Sequence, residues 1–496
     1  MDDALAPSPP TDTPPYTYPA IVIGAGFAGI GAAIKLRQAG IEFLVLEKAA
    51  EMGGVWRDNT YPGCGCDVPS ALYSYSFAPN PRWSRFFAQQ SEIKDYTKNT
   101  AEKFGIADRV RLQHELLEAR WVDAQKLWRL QTNVGVYWTQ FVIMASGPMH
   151  VPVLPKIKGM DTFTGMHFHS ARWNHGYELR GKRVAVIGSG ASAIQFVPHI
   201  APLVERLTLF QRTAPWVLPK FDPPISARWQ GLFQRFPWVQ RLLRTTLYLQ
   251  FELLNASLNY PALLKRIQAQ GVKNIARGVK DPALRAQLLP NYSVGCKRIL
   301  LSNTWYRALA KPQVHVVGGV AEIQGQRVIS SDGSSCEVDA IIFATGFEVA
   351  NPPIASRIFG QSGTALSTHW QGSPAAYLGT MAQDCPNLFL TFGPNLYAYS
   401  SAFVIIEAQF KFIISAIKTA LRKDIAQVSI DPTRFAHYNQ RVQAALKTTV
   451  WNSGCTSYFL DKNGRNTTNW PWTTFRMRRL LGRFVLQDFL TENRKP

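Results

Sequence analysis

A glycine-rich turn between two apolar runs constrains the fold more than any other feature of this 496-residue chain. Residues 20–23 and 43–46 have strand character, and a GxGxxG turn and a helical pattern lie between them. This order is typical of the βαβ unit that binds a dinucleotide. The turn glycines, which let a pyrophosphate approach the helix N-terminus, are Gly24, Gly26 and Gly29. Glu47 follows the second strand, where an acid hydrogen-bonds ribose hydroxyls.

The same arrangement recurs in residues 183–210, this time with a GxGxxA turn. The candidate cofactor-binding residues of this turn are Gly188, Gly190 and Ser192. Arg212 stands where the first unit carries its acid. A guanidinium pairs bidentately with a 2′-phosphate, whereas an acid would repel it, so this unit favours NADPH over NADH. The alternative is a surface arginine that simply follows an edge strand.

Composition excludes several classes of protein. The chain has 54 Lys and Arg against 33 Asp and Glu, a net charge of +21, and 46% hydrophobic residues, which is incompatible with a disordered chain. No run reaches the ~18 apolar residues that a membrane-spanning helix needs. Nucleic-acid signatures are absent from the sequence, so we expect no nucleic-acid partner. Residues 1–19 are rich in proline and lack the pattern of a secretory signal, which predicts a flexible leader on a cytoplasmic protein.

The six cysteines are few and scattered. Cys64 and Cys66 are separated by one residue, which is too close for the usual CxxC redox or metal spacing. We therefore expect reduced, mostly structural thiols and no metal site. A pyridine-nucleotide disulfide reductase, which shares the paired nucleotide folds, is an alternative, but it requires a CxxC or CxxxxC pair that this chain lacks.

Two dinucleotide sites predict an α/β flavoprotein with two Rossmann-like domains, FAD bound first and NADP second, and a helical insertion in the NADP domain. The apolar runs that end at Gly147 and Gly346 are each expected to close a nucleotide-binding sheet. The predicted parts are a leader (1–19), an FAD-binding domain (20–150 and 340–496), an NADP-binding domain (151–222 and 295–339) and a helical insert (223–294). The FAD domain resumes at 340 because the strand before Gly346 is expected to return to the first sheet.

The helical insert is expected to wall the substrate cavity. Its apolar face around residues 247–254 is predicted to pack on the core. Contact of this face with a membrane surface or with a partner chain is the alternative. Length and composition leave a monomer and a homodimer both open.

Between the two turns, Phe163, Gly165, His169 and Trp173 form the pattern FxGxxxHxxxW. With it, the chain resembles the type I Baeyer–Villiger monooxygenases, a group of class B flavoprotein monooxygenases. A second family pattern, GGxWxxxxYPGxxxD, matches in full from Gly53 to Asp67 and includes Trp56, and a third segment is GCKR at residues 295–298. Asn174 stands where the family has Pro or Asp, which leaves the related N- and S-oxygenating flavin monooxygenases as an alternative.

The resemblance implies an NADPH- and O2-dependent enzyme that contains FAD and inserts one oxygen atom beside a ketone carbonyl, through a C4a-peroxyflavin, to give an ester or a lactone. It assigns Arg298 as the cation beside the reacting oxygen and Asp67 as the residue that orients it. Arginine suits this role because it stays protonated. Lys297 and Arg212 would hold the 2′-phosphate, with Thr213 as a hydroxyl donor.

Other residues of the family motifs receive no chemical role. His169 is expected to be structural, since a lone histidine is more often a packed hydrogen-bonding residue than a catalyst. Trp173 and Trp451 are expected to pack or to shield a cofactor. The Phe-, Trp- and Leu-rich insert and C-terminal region indicate an apolar ketone as the substrate.

Overall fold

The computed structural model describes residues 16–257 and 260–494. Most of the predicted leader, residues 1–15, lies outside the described residues. Its last residues were assigned wrongly, because the first strand already begins at Thr17. This strand extends three residues further toward the N-terminus than the apolar run that predicted it.

Twenty strands and thirteen α-helices are present in the described residues. The strands are β1 (Thr17–Ile23), β2 (Phe43–Leu46), β3 (Val110–Arg111), β4 (Leu116–Val122), β5 (Leu127–Thr132), β6 (Val136–Met144), β7 (Met166–His169), β8 (Arg183–Ile187), β9 (Arg206–Phe210), β10 (Val217–Leu218), β11 (Leu300–Leu301), β12 (Val314–Val317), β13 (Val320–Gln324), β14 (Arg327–Ser330), β15 (Ser335–Glu337), β16 (Ala340–Phe343), β17 (Ile358–Phe359), β18 (Leu388–Leu390), β19 (Ile425–Ile430) and β20 (Phe489–Asn493). The helices are α1 (Phe27–Gln38), α2 (Val55–Asp58), α3 (Gln90–Lys103), α4 (Ala191–Ile200), α5 (Ala227–Arg235), α6 (Pro237–Ser257), α7 (Pro261–Gly278), α8 (Pro282–Leu288), α9 (Trp305–Leu309), α10 (Leu366–Trp370), α11 (Ala402–Arg422), α12 (Pro432–Leu446) and α13 (Thr474–Leu480).

The first sheet has the order β17-β4-β5-β6-β1-β2-β3, and β18 also pairs with β6. Its centre is parallel, with Ile21 of β1 opposite Leu44 on one side and Val142 on the other. These three side chains are buried, as expected for strands that are covered on both faces. The strand that ends before Gly147, β6, therefore belongs to this sheet, as predicted, but lies at its centre between β5 and β1.

The second sheet has the order β12-β9-β8-β16-β7, and all of its strands are parallel. Strand β16 lies between β8 and β7, with Ile342 opposite Val186. The prediction that this strand returns to the first sheet was therefore wrong. Central strands of both sheets are buried on both faces and carry the same apolar pattern, so the sequence of β16 does not identify its sheet. The chain rejoins the first sheet only at β17, which pairs with β4.

Helices α5 to α8 form the predicted insert. One face of α6 packs on the core, where Leu247 and Tyr248 form a buried cluster with Leu72 and Val404. The structure thus confirms core packing for Leu247 and Tyr248. The same prediction was wrong for Leu249 and Leu253, which are exposed to solvent. No helix in the described part of the chain is long and apolar enough to cross a membrane.

A disulfide joins Cys296 to Cys455, 159 residues apart in the sequence. The expectation that all six thiols are reduced was therefore wrong for this pair. Their Cα atoms lie 6.2 Å apart, within the range that a disulfide bridges. Distant cysteines are brought together only by the tertiary fold, so their spacing in the sequence carried no signal. The four free cysteines are Cys64, Cys66, Cys336 and Cys385.

Loss of this disulfide should destabilise the fold. We expect Cys455→Ser to lower the free energy of unfolding by about 2–4 kcal/mol, because the unfolded chain is no longer constrained by the crosslink. Urea unfolding measures the change, and Cys336→Ser, which replaces a half-buried free thiol, is the matched control. Thiol titration of the unreduced, denatured wild type should find four thiols; a count of six would contradict the pairing.

Candidate active site

The first glycine turn has no room for larger residues. Gly24 has a φ of +104°, and a Cβ there would lie 2.6 Å from the carbonyl oxygen of Ala145. A Cβ on Gly29 would lie 1.7 Å from the carbonyl oxygen of Gly24, so α1 packs directly on the turn. Gly26 is the N-cap of α1. The turn and the first N–H groups of this twelve-residue helix fit a dinucleotide pyrophosphate.

Glu47 lies at the end of β2, buried beside this turn. Its Oε2 accepts from the backbone N–H of Ala25 at 2.7 Å. Its Oε1 accepts from the N–H of Ala49 and from Arg57 Nη1, each at 3.0 Å. A carboxylate offers about four acceptor positions. The remaining position on Oε2 suits a ribose hydroxyl.

The GGxW segment closes over the same turn. The N–H of Gly53 donates to the carbonyl of Ala25 at 3.0 Å, and Gly54 has a φ of +55°. Trp56 is buried and donates from its indole to the hydroxyl of Tyr73 at 3.1 Å. The predicted cofactor-binding residues of the first unit therefore lie together at one edge of the first sheet.

Arg298 is held by an ion pair with Asp67. Its Nη2 contacts Oδ1 of the carboxylate at 2.7 Å and Oδ2 at 2.5 Å. Both side chains are about a quarter exposed, at 25% and 23%. Burial alone would lower the pKa of Arg298, but the charge of Asp67 and the hydrogen bond to it act in the opposite direction, and the pKa is raised well above its usual value. The guanidinium therefore stays a cation at every physiological pH.

Asp67 reaches this position because the preceding YPG turn docks on α4 of the second unit. Tyr61 donates to Gln195 Oε1 at 3.0 Å, and Gln195 Nε2 donates to the carbonyl of Gly65 at 2.9 Å. A Cβ on Gly63 would lie 2.4 Å from the ring of His199. The YPG turn therefore joins the first nucleotide unit to the second.

The second glycine turn repeats the geometry of the first. Gly188 also has a φ of +104°, and a Cβ there would lie 2.5 Å from the carbonyl oxygen of Ala344. Gly190 is the N-cap of α4, and a Cβ on it would have no neighbour within 4 Å among the described residues. Ser192 lies in the first turn of α4, and Ser189 Oγ donates to the carbonyl of Thr213 at 3.2 Å. The open side of this turn fits a second pyrophosphate.

Two cations lie near this second turn, and neither forms an ion pair with a carboxylate among residues 16–257 and 260–494. Arg212 is exposed just beyond β9. Burial and, after it, the charge of Arg212 lower the pKa of Lys297. Two cations that repel each other define a place where a doubly charged anion is stabilised. The geometry thus fits a 2′-phosphate beside these residues and Thr213.

The FxGxxxHxxxW motif forms an edge of the second sheet rather than part of the ion-pair site. His169 ends β7 and is buried, and its Nδ1 accepts from the N–H of Ala171 at 3.1 Å. Burial lowers the pKa of His169 to about 4, so the ring is neutral at pH 7. Trp173 packs on Phe196 of α4 with ring centroids 5.2 Å apart. These contacts suit the structural role predicted for both residues.

A cleft opens at the carboxyl edge of the first sheet. Its walls are mostly apolar and include Met144, Met149 and Trp370. Tyr397 and Tyr458 also line the cleft, and both adjoin Arg298. The cleft and the guanidinium therefore share these two tyrosines as neighbours.

Sequence reasoning missed both tyrosines and Lys220. Tyr397 follows Gly393, Pro394 and Asn395, and no pattern in the sequence indicates that its side chain points inward. Lys220 Nζ donates to the carbonyl of Cys66 at 3.3 Å, next to Asp67. No motif in the sequence singles out Lys220.

Comparisons with known proteins agree with this geometry. A protein-family model described as pyridine nucleotide-disulphide oxidoreductase matches residues 21–230. A Baeyer–Villiger monooxygenase of Streptomyces coelicolor is 46% identical over 475 residues, which cover 94% of this chain and 91% of that protein. A Baeyer–Villiger monooxygenase of Pseudomonas aeruginosa is 42% identical over 470 residues, which cover 93% of this chain and 89% of that protein.

Solved structures show the same architecture. The cyclohexanone monooxygenase of Rhodococcus sp. Phi1 bound to NADP+ has a TM-score of 0.86 and 26% identity, covering 97% of this chain and all of that one. The structure of OTEMO in complex with FAD and NADP has a TM-score of 0.86 and 26% identity, and the match covers 96% of this chain and 99% of that one.

The two glycine turns, together with the likeness to structures that hold FAD and NADP, define an FAD- and NADP-dependent flavoprotein monooxygenase. Together with the two bacterial relatives, this architecture places the chain in the Baeyer–Villiger monooxygenase family. The chain is an enzyme of the NADPH- and O2-dependent oxygen-inserting type. Burial raises the pKa of the Cys64 thiol to about 12 and that of Cys66 further, so neither thiol ionises readily near pH 7.

The cation pair at the second turn should set the choice of reduced nucleotide. We expect Arg212→Gln to raise the KM for NADPH about 10- to 100-fold, because a charge-assisted contact with the 2′-phosphate is lost. The KM for NADH, which has no 2′-phosphate, should change little. Steady-state flavin reduction with both nucleotides measures this, with Arg206→Gln at the start of β9 as the matched control. Equal losses with both nucleotides would contradict the assignment.

Proposed function

We propose that this Baeyer–Villiger monooxygenase oxidises apolar ketones to esters or lactones, with Arg298 as its catalytic cation. The observation that carries the proposal is the Arg298–Asp67 ion pair next to an apolar cleft. The ketone named for the cyclohexanone monooxygenase neighbour supports the substrate class.

The residues that would hold the two cofactors lie at the two glycine turns. For FAD these are Gly24, Gly26, Gly29, Glu47 and Trp56. For NADP they are Gly188, Gly190, Ser192, Arg212, Thr213 and Lys297. When bound, the flavin supplies the oxygen chemistry after reduction by NADPH.

Arg298 acts by electrostatic stabilisation. A fixed guanidinium stabilises the negative charge on the attacking oxygen and on the former carbonyl oxygen of the substrate. Asp67 fixes the guanidinium in one orientation and keeps it from turning into solvent. Because Asp67 already occupies Nη2, the other donors of the guanidinium are left for the reacting oxygens.

The cleft supplies the environment for the ketone. Its apolar walls favour a substrate with little polarity beyond the carbonyl. Tyr458 and Tyr397 stay protonated, since burial raises the pKa of both hydroxyls. They are therefore available as neutral hydrogen-bond donors between the cleft and Arg298.

The motif departure at Asn174 does not reach this site. Its Oδ1 accepts from the N–H of Gly176 at 3.0 Å, and its Nδ2 contacts Met166 Sδ at 3.6 Å. Both contacts are local to the edge strand and its turn. This placement supports ketone oxidation over N- or S-oxygenation.

The strand pairings support a revised division of the chain. We assign residues 16–150 and about 349–494 to the FAD-binding domain, and residues 151–222 and 295–348 to the NADP-binding domain, with 223–294 as the insert. Strand β16 moves to the NADP domain because it pairs with β8 and β7. We further propose that the enzyme acts in the cytoplasm, where NADPH and FAD are both supplied. It uses O2 and works as a monomer or a homodimer.

Replacement of the cation should separate two activities. We expect Arg298→Ala to lower ketone oxidation at least 100-fold, because removing one such charge-stabilising donor costs about 10²–10³ in rate. Oxidation of a sulfide, which needs less charge stabilisation, should survive in part. Flavin reduction by NADPH should stay close to wild type in Arg298→Ala. The control is Arg307→Ala, an exposed arginine, in which ketone oxidation, sulfide oxidation and flavin reduction should all stay close to wild type.

Product analysis by gas chromatography with one ketone and one sulfide measures both rates. Equal survival of ketone and sulfide oxidation in Arg298→Ala would contradict the role of Arg298. Loss of flavin reduction as well would show that the variant had lost its fold or its NADPH site, and Arg298→Lys would then be the variant to compare.

A further inference from the structure

The outer face of α6 carries an uncovered apolar stripe. Trp238, Leu242, Leu249 and Leu253 are 62%, 58%, 51% and 70% exposed. With 3.6 residues per turn, these four positions fall within an arc of about 60° on the helix. The buried residues Leu247 and Tyr248 lie outside this arc, so the stripe is separate from the face that packs on the core.

Further exposed aromatic residues flank the stripe along the chain. Trp229 in α5, Phe236 before α6 and Tyr260 after α6 are 54%, 40% and 61% exposed. Exposed apolar residues that occur singly are ordinary, but four on one arc of a helix mark an interaction surface. Tryptophan and tyrosine are also the residues enriched where a protein meets the boundary between water and lipid.

Nearly all charged residues of the insert are basic. Residues 223–280 contain nine Lys and Arg and one acidic residue, Glu252. Glu252 is buried and accepts from the N–H of Thr474 at 3.0 Å, so it does not contribute to the surface. Among the described residues of this stretch, only Arg244 has a carboxylate within ion-pair distance, Glu407 at 3.9 Å. The other basic residues are exposed, and Arg241 directly precedes Leu242 of the stripe.

We propose that the helical insert docks on an anionic lipid surface. The stripe on α6 would enter the boundary between headgroups and acyl chains, with α6 parallel to the membrane plane. Basic residues beside the stripe, Arg235 and Arg241 among them, would contact the anionic headgroups, each contributing attraction that falls off within a Debye length. A second copy of the chain fits this face less well, because two basic surfaces without carboxylates repel each other.

The test is co-sedimentation of the full, FAD-loaded protein with lipid vesicles. Vesicles of phosphatidylcholine alone are compared with vesicles in which half of the lipid is phosphatidylglycerol. We expect strong binding to the anionic vesicles, at least tenfold weaker binding to the neutral ones, and release from the anionic vesicles by salt near 1 M, where the Debye length is about 3 Å. Blue-shifted tryptophan emission on binding would report burial of Trp238.

Two variants separate the apolar and the basic contributions. Leu249→Ser/Leu253→Ser should weaken binding to anionic vesicles at least tenfold, since both side chains would lose their burial in lipid. Arg235→Gln/Arg241→Gln should remove most of the preference for anionic over neutral vesicles. The matched control is Val134→Ser/Leu154→Ser, two residues 60% and 61% exposed outside the insert, which should bind as the wild type does.

The remaining outcomes overturn the proposal. These are absence of binding to anionic vesicles at low salt, and equal weakening in the stripe variant and its control. A third contradicting outcome comes from light scattering without vesicles. If the wild type forms a dimer but does not bind vesicles, and Leu249→Ser/Leu253→Ser abolishes the dimer, the occupant of the stripe is a second copy of the chain. Unchanged NADPH-driven flavin reduction in each variant verifies that the fold is intact, and this readout is independent of the ketone assignment.

Discussion

The ion pair between Asp67 and Arg298 is the interaction on which the site depends. It joins residues 231 positions apart, one from the YPG segment of the first nucleotide unit and one from the chain that follows the insert. A partly buried guanidinium without a partner is costly, whereas a paired one is a stable local charge. The same YPG segment docks on α4 through Tyr61 and Gln195. The contact that holds the two units together therefore also places the cation.

Sequence reasoning succeeded where the determinants are local. Short sequence patterns predict the positive φ of Gly24 and Gly188 and the strands beside them, and they do so without information on distant partners. It failed for β16 and for the Cys296–Cys455 disulfide, because sheet membership and cysteine pairing depend on distant partners. The proximity of Asp67 and Arg298 belongs to the same long-range class, and only family resemblance indicated it.

The surroundings of Arg298 show how distant segments converge on one charge. Cys296 lies two residues before Arg298, and Cys455 lies three residues before Tyr458, so the disulfide ties both segments together at the edge of the cleft. Tyr458 and Tyr397 adjoin Arg298 and line the cleft. Further out, the insert buries one face of α6 and leaves the other uncovered. The fold thus separates the ion-pair site from the uncovered surface of the insert.

Oxygen-isotope labelling tests the central claim most directly. The purified enzyme is incubated with NADPH, ¹⁸O2 and an apolar ketone such as cyclohexanone, and the product is analysed by mass spectrometry. The account predicts an ester or lactone that carries one ¹⁸O atom, formed in proportion to the NADPH consumed. Oxidation of NADPH with unchanged ketones and release of labelled hydrogen peroxide, across a panel of cyclic and linear ketones, would contradict it.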